Sequence, residues 1–199
     1  MTISAEDRAR RIKILLFDVD GVLTDGQLFF IPDNGPDGKL HGLEVKGFTA
    51  HDGLGITIAR LGGLRVGLIT KRESATVAIR ARDLRLEFVY QGQSHKLAAA
   101  REIVAKAGCT LAELAFVGDD VVDLPVMRAC GLAIATANAR PQARAEAHYL
   151  TPNPGGHGAG RDAIEFILAA QGKLDAAIAA LLDADNPAAH DTDIGSGKM

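Results

Sequence analysis

Two carboxylates one residue apart, Asp18 and Asp20, close the apolar run Leu15-Leu16-Phe17 and are followed at once by Gly21. An aspartate can attack a phosphorus centre to form an acyl phosphate, provided that a cation offsets the converging negative charges and a second group protonates the leaving oxygen. Asp18 is placed to be the nucleophile. Two residues on along extended backbone, Asp20 falls on the same side, and the turn that Gly21 permits can bring it toward the leaving group as the acid. A calcium loop of the EF-hand kind would need oxygen ligands at further alternate positions after a helix, and here Val22 and Leu23 interrupt them after a strand-like run. Asp-Gly also marks ordinary turns, but such turns seldom close a buried strand with a second carboxylate.

These side chains need a scaffold that presents strand ends to one crevice. Apolar runs at 64–69, 88–90, 115–117, 132–136 and 149–151 alternate with helical patterns, including an amphipathic one at 162–171. Such alternation predicts an α/β fold with a parallel sheet, in which the ligand crevice lies at the carboxyl ends of the strands. The 64–69 strand ends at Thr70, whose hydroxyl can donate to an anion, although a threonine there is more commonly a helix cap. The 115–117 strand runs into Gly118-Asp119-Asp120-Val121-Val122-Asp123, whose carboxylates can converge with Asp18. Between the first two strands, β-like runs at 27–31 and 40–48 flank the turn formers of 32–38 and predict a projecting hairpin flap over about 27–50. Its apolar residues, among them Phe29, Phe30, Ile31, Leu43, Val45 and Phe48, exceed what one half-buried face needs, so the flap must pack on the body or on another subunit.

At 199 residues, 47% hydrophobic and 5% aromatic, the chain fits one domain with an aliphatic core, expected over 1–182, with a polar, disordered tail at 183–199. A formal net charge of −3 without a long basic cluster argues against nucleic acid as a partner and leaves any phosphate to be held locally. No run is of membrane-spanning length, and residues 1–11 are charged without an apolar signal region, so a cytoplasmic protein is expected. Cys109 and Cys130 lack C-x-x-C spacing and read as buried thiols of a reducing compartment.

Asp-Val-Asp-Gly-Val-Leu-Thr-Asp-Gly from Asp18, Thr70, the Tyr90-Gln-Gly-Gln-Ser-His-Lys96 segment and Gly-Asp-Asp-x-x-Asp at 118–123 occur in that order. Together they resemble the four motifs of the haloacid dehalogenase-like phosphohydrolases, over roughly 12–174. The closest resemblance is to the capless branch that acts on sugar-acid phosphates such as 3-deoxy-D-manno-octulosonate 8-phosphate. It implies a Rossmann-like three-layer sandwich with the hairpin flap and no large cap domain. It also implies phosphomonoester hydrolysis through an aspartyl phosphate, with Asp18, Asp20, Thr70 and Lys96 as the catalytic set. Lys96, otherwise a solvated helix residue, would stabilise the nucleophile and the transferring phosphoryl group. Mg²⁺ would be held by Asp18, the Asp20 carbonyl and Asp119 with waters, Asp120 and Asp123 standing behind or one of them ligating directly. Four flaps would meet in a homotetramer.

Three positions depart from the family pattern. His51 stands for the usual arginine before Asp-Gly, Lys71 for the glycine of Thr-Gly-Arg, and His157 for an arginine in the Gly-Gly-x-Gly segment that reaches a neighbour's site. With Arg72, these residues are the candidates for gripping the substrate's acid end. They leave a related nonulosonate 9-phosphate, or a broad range of small phosphates, open as substrates. Phosphonate cleavage and phosphoglucomutase chemistry normally need a cap that 71–96 is too short to encode. A catalytically silent scaffold is disfavoured because the acidic, hydroxyl and lysine positions are all intact.

Overall fold

The computed structural model describes residues 3–35, 40–183 and 185–186. Six strands form one sheet in the order β5-β4-β1-β6-β7-β8: β1 (Ile14–Phe17), β4 (Arg65–Ile69), β5 (Phe88–Tyr90), β6 (Leu114–Gly118), β7 (Leu132–Ala135) and β8 (Tyr149–Leu150). Every pairing in it is parallel. β1, β6 and β7 are buried along their whole length, as a parallel sheet covered on both faces requires. Their side chains alternate between two cores. Leu15, Phe17, Val117 and Ile134 point to one, Ile14, Leu16, Phe116 and Ala133 to the other.

The first core is covered by α1 (Ala5–Ala9), α2 (Ala50–Leu61), α7 (Ala159–Ala170) and α8 (Leu174–Leu182). On α7, Ile164, Ile167 and Leu168 form the buried stripe, each contributing about 1.5–3 kcal/mol. The second core lies under α4 (Lys96–Lys106), α5 (Leu124–Met127) and α6 (Pro141–Glu146). α3 (Ala75–Asp83) sets Val77 and Ala81 against Val19 and Leu68. The expected three-layer α/β sandwich is what the chain forms. Between Lys71 and Lys96 lie only α3 and β5, so no large cap covers the strand ends.

The helix expected at 162–171 begins three residues earlier. Gly158 takes a left-handed φ of 106° and offers no capping side chain, and Asp52 of α2 supplies the missing acceptor to the Arg161 N–H at 2.8 Å. α1 and α8 were not anticipated. The first is opened by Ser4, which accepts from the Asp7 N–H. The second is an alanine- and leucine-rich stretch with only Ala177 fully buried, so its apolar period is weak.

The hairpin is β2 (Phe29–Asn34) with β3 (Leu40–Val45). Its first strand continues through Pro32, Asp33 and Asn34, which were expected in the turn; in a two-stranded ribbon each strand has an unpaired edge, so a proline costs little. The centre of the expected turn, 36–38, and most of the tail expected at 183–199 lie outside the described residues. In the antiparallel register Phe29 faces Val45 and Ile31 faces Leu43. All four stand on one face, 40–62% exposed.

Candidate active site

Strand register brings the motif residues together. Phe17 is level with Leu68 on one side and Val117 on the other, so Asp18, Thr70 and Asp119 all emerge at the carboxyl edge of neighbouring strands. After Asp18 the chain folds back on the Val19 carbonyl, which accepts from the N–H groups of Val22, Leu23 and Thr24 at 3.0–3.2 Å. Gly21 makes that turn with φ +86°, and a Cβ there would lie 2.2 Å from Asp119 Oδ2. Only glycine lets the two loops approach so closely.

Asp18 and Lys96 are buried, and Lys96, the first residue of α4, places Nζ 2.7 Å from both Asp18 Oδ2 and Asp123 Oδ1. Asp18 Oδ1 accepts from the Val19 N–H at 2.7 Å. Burial and the Asp123 charge push the Asp18 carboxyl up to about 7 against the pull of Lys96. For Lys96 burial acts downward, but Asp18 and Asp123 outweigh it and hold the ammonium above the ordinary lysine value. Asp119 is likewise raised to about 7, by burial first and then by Asp123, Asp18 and Asp120. Carboxylate oxygens of Asp18, Asp119 and Asp123 lie within 4.8 Å of one another. Asp123, wholly buried, is already engaged: besides Lys96, it accepts from the N–H groups of Asp119 and Asp120 at 3.0 and 3.3 Å. Asp119 Oδ1 is buried without any hydrogen-bond partner. An orphaned buried carboxylate oxygen beside Asp18 fits a hard divalent cation, which would supply the missing partner.

Thr70 is buried and lines a cavity of about 180 Å³ with Asp18, Asp20, Lys96 and Asp119. It is not a helix cap; Ser74 caps α3. Lys71, Arg72 and Asp120 line the same cavity. Asp120 accepts from its neighbour Val121 and caps the short 3₁₀ turn Val121–Asp123. Arg72 stands at the cavity as expected, but its guanidinium is spent on Glu44 and lies 3.6 Å from Asp20. The two histidines are elsewhere. His51 is exposed in the first turn of α2, and neither it nor His157 lines this cavity. The Gly-Gly-x-Gly segment expected at a neighbour's site packs on this chain's own first loop: the Gly156 N–H donates to the Val22 carbonyl at 3.0 Å, and a Cβ on Gly155 would meet the Gly21 carbonyl oxygen at 1.8 Å. A larger hollow of about 250 Å³ opens at the amino end of β4, beside Arg60, Arg65 and Glu87; Arg65 is committed to Glu87 there, and no candidate nucleophile lines it.

Sequence reasoning missed Glu44 and Lys46. The Lys46 side chain is 1% exposed and pairs with Asp20, and it lies 3.5 Å from Glu44. Glu44 in turn accepts from Arg72 and the Ser74 hydroxyl. The signal was the alternation Leu43-Glu44-Val45-Lys46, which gives one face of the strand two charges and the other two apolar side chains.

A family model described as haloacid dehalogenase-like hydrolase matches residues 70–160. The 3-deoxy-D-manno-octulosonate 8-phosphate phosphatase KdsC of Escherichia coli K12 is 41% identical over 170 residues, 85% of this chain and 86% of the relative. Among solved structures, a 3-deoxy-D-manno-octulosonate 8-phosphate phosphatase from Moraxella catarrhalis, in complex with magnesium, phosphate and KDO, superposes with a TM-score of 0.80 at 38% identity, covering 88% of this chain and 96% of that one. The enzyme of the same name from Yersinia pestis gives 0.78 at 39% identity, covering 86% and 88%.

Proposed function

The chain belongs to the haloacid dehalogenase-like hydrolases, and from that premise we propose that it is a magnesium-dependent phosphatase whose substrate is a phosphorylated keto sugar acid, 3-deoxy-D-manno-octulosonate 8-phosphate first. The observation that carries this reading is the Asp18 carboxylate, held by Lys96 beside the unpartnered oxygen of Asp119, at the wall of a cavity open to a small ligand.

Asp18 attacks phosphorus, the ester P–O bond breaks, and Asp20 gives its proton to the departing sugar oxygen. A water then attacks the acyl phosphate, returns a proton to Asp20 and frees phosphate and Asp18. Lys96 and the Thr70 hydroxyl hold phosphoryl oxygens through the transfer. Asp18 and Asp119, with the Asp20 carbonyl, are the groups that would hold Mg²⁺, whose charge when bound offsets that of the carboxylates and phosphate. Asp123 positions Lys96 and the Asp119 loop. One domain over 1–182 does this work without a lid.

Lys71, exposed at the cavity, favours a substrate with a second anion; Arg72, paired with Glu44, and His51 and His157, outside the cavity, are assigned a lesser part. One charge-assisted hydrogen bond of roughly 1.5–3 kcal/mol, made only with the acid, gives a preference of about tenfold or more over a neutral hexose phosphate. Catalytic efficiencies toward octulosonate 8-phosphate, nonulosonate 9-phosphate and glucose 6-phosphate test this, and Lys71→Ala should narrow the gap. Equal efficiencies would leave a broad phosphatase in place of a sugar-acid enzyme.

The exposed apolar face of the hairpin supports a homotetramer in which the flaps cover one another. A two-stranded ribbon is marginal alone, and Phe29, Ile31, Leu43 and Val45 make a patch that monomers rarely leave in water. Sedimentation at micromolar concentration should give four chains, and Ile31→Asp with Leu43→Asp should give smaller species; a monomeric parent chain would reject the assembly. Among the described residues no helix is long and apolar enough to cross a membrane. Both described cysteines are free, which supports a reducing, cytoplasmic location.

A further inference from the structure

We propose that Lys46, at the end of the hairpin's second strand, is a positioning residue that fixes the Asp20 carboxyl for proton delivery to the leaving group. The proposal rests on the reading of Asp20 as that acid. Asp20 sits in the loop after β1 with its side chain 23% exposed. Lys46 grips Oδ1, and Arg72 Nε stands 3.6 Å from Oδ2, which leaves the carboxyl one orientation. Both cations converge on Glu44, and Glu44 is anchored to the start of α3 by the Ser74 hydroxyl and, through its carbonyl, by the Thr76 hydroxyl at 3.3 Å. Asp20, Lys46, Glu44 and Arg72 thus close a ring of alternating charge that transmits the position of the flap to the acid.

Two other roles for Lys46 fit less well. A substrate ligand must meet solvent, as exposed Lys71 does, and a side chain only 1% exposed does not. A purely structural pair is a poor use of a buried ammonium, because the attraction seldom exceeds the cost of desolvation and an apolar side chain of similar volume usually serves the fold as well. Keeping a lysine there is explained by what it orients.

The test compares two esters. Octulosonate 8-phosphate releases an alkoxide that needs a proton, whereas nitrophenyl phosphate releases an anion stable without one. For Lys46→Met, kcat/KM on the sugar phosphate should fall by about 30-fold or more and on the nitrophenyl ester by less than about threefold, since general acid catalysis contributes about 10²–10⁴ only where a proton must move. Lys46→Arg should restore the ratio of the two. Adding Lys46→Met to Asp20→Asn should cost the sugar phosphate little beyond Asp20→Asn alone, because the two residues act as one unit. Equal losses on both esters, additive losses in the double variant, or a Lys46→Met chain that does not fold would make Lys46 structural support and overturn the proposal. Failure of the parent chain to hydrolyse either ester would overturn the phosphatase reading itself.

Discussion

Asp18→Asn is expected to lower turnover by about 10⁴-fold or more, in line with the loss of other nucleophiles that act as part of a unit, while leaving the chain folded. An amide has no charge to place on phosphorus, and no other described carboxylate can take its place. Asp123 is bound by Lys96 and two N–H groups, Asp20 by Lys46, and Asp119 stands just beyond the end of the neighbouring strand. The fold should not suffer. The Asp18 carboxyl is raised to about 7 by burial and by Asp123, so in the metal-free chain its ionised form is a burden at alkaline pH. Asparagine removes that burden and leaves Lys96 paired with Asp123. Thermal unfolding in chelator should therefore find Asp18→Asn at least as stable as the parent chain above about pH 7, because the charged form it removes is the destabilising one there. Substantial sugar-phosphate turnover by this variant would dismiss Asp18 as the nucleophile; an unfolded variant would dismiss the electrostatic account.

The sheet and most of the site were legible because their signals are local. β1 ends in Asp-x-Asp-Gly, β4 in Thr70 and β6 in Gly-Asp-Asp, and strand register then does the assembling. What was not legible depends on distance. Lys46 lies 26 residues from Asp20, and nothing near Lys46 says that a flap will fold back on the acid. The start of α7 was misplaced because its cap, Asp52, comes from 109 residues away in another helix. His51 is exposed on α2 and the glycines beside His157 lie against the Gly21 loop, so within one chain neither histidine lines the cavity, and the part expected of His157 was at a neighbour's site. Arg72 was read as a rim cation because a sequence does not show that Glu44 neutralises it.

Magnesium and pH should act on stability through Asp119. Its carboxyl is raised to about 7 from an unfolded value near 3.8, so the folded chain binds the proton more tightly than the unfolded one. The corresponding stability is full below the unfolded value and is lost as pH rises through about 7; a shift of that size is about 4 kcal/mol for the single group. Metal-free protein should therefore melt lower at about pH 8 than at about pH 5.5. Cation binding needs the ionised carboxylates, so it competes with their protons and reverses the trend. Millimolar Mg²⁺ should raise the melting temperature clearly at the alkaline end and little at the acid end, with proton release on binding near neutrality. Asp119→Asn should weaken both effects, leaving only the share of the pH dependence that Asp18 contributes, since the oxygen that lacks a partner then belongs to a neutral amide. A magnesium increment equal at both pH values, or undiminished in Asp119→Asn, would mean that the cation is held elsewhere than between Asp18 and Asp119.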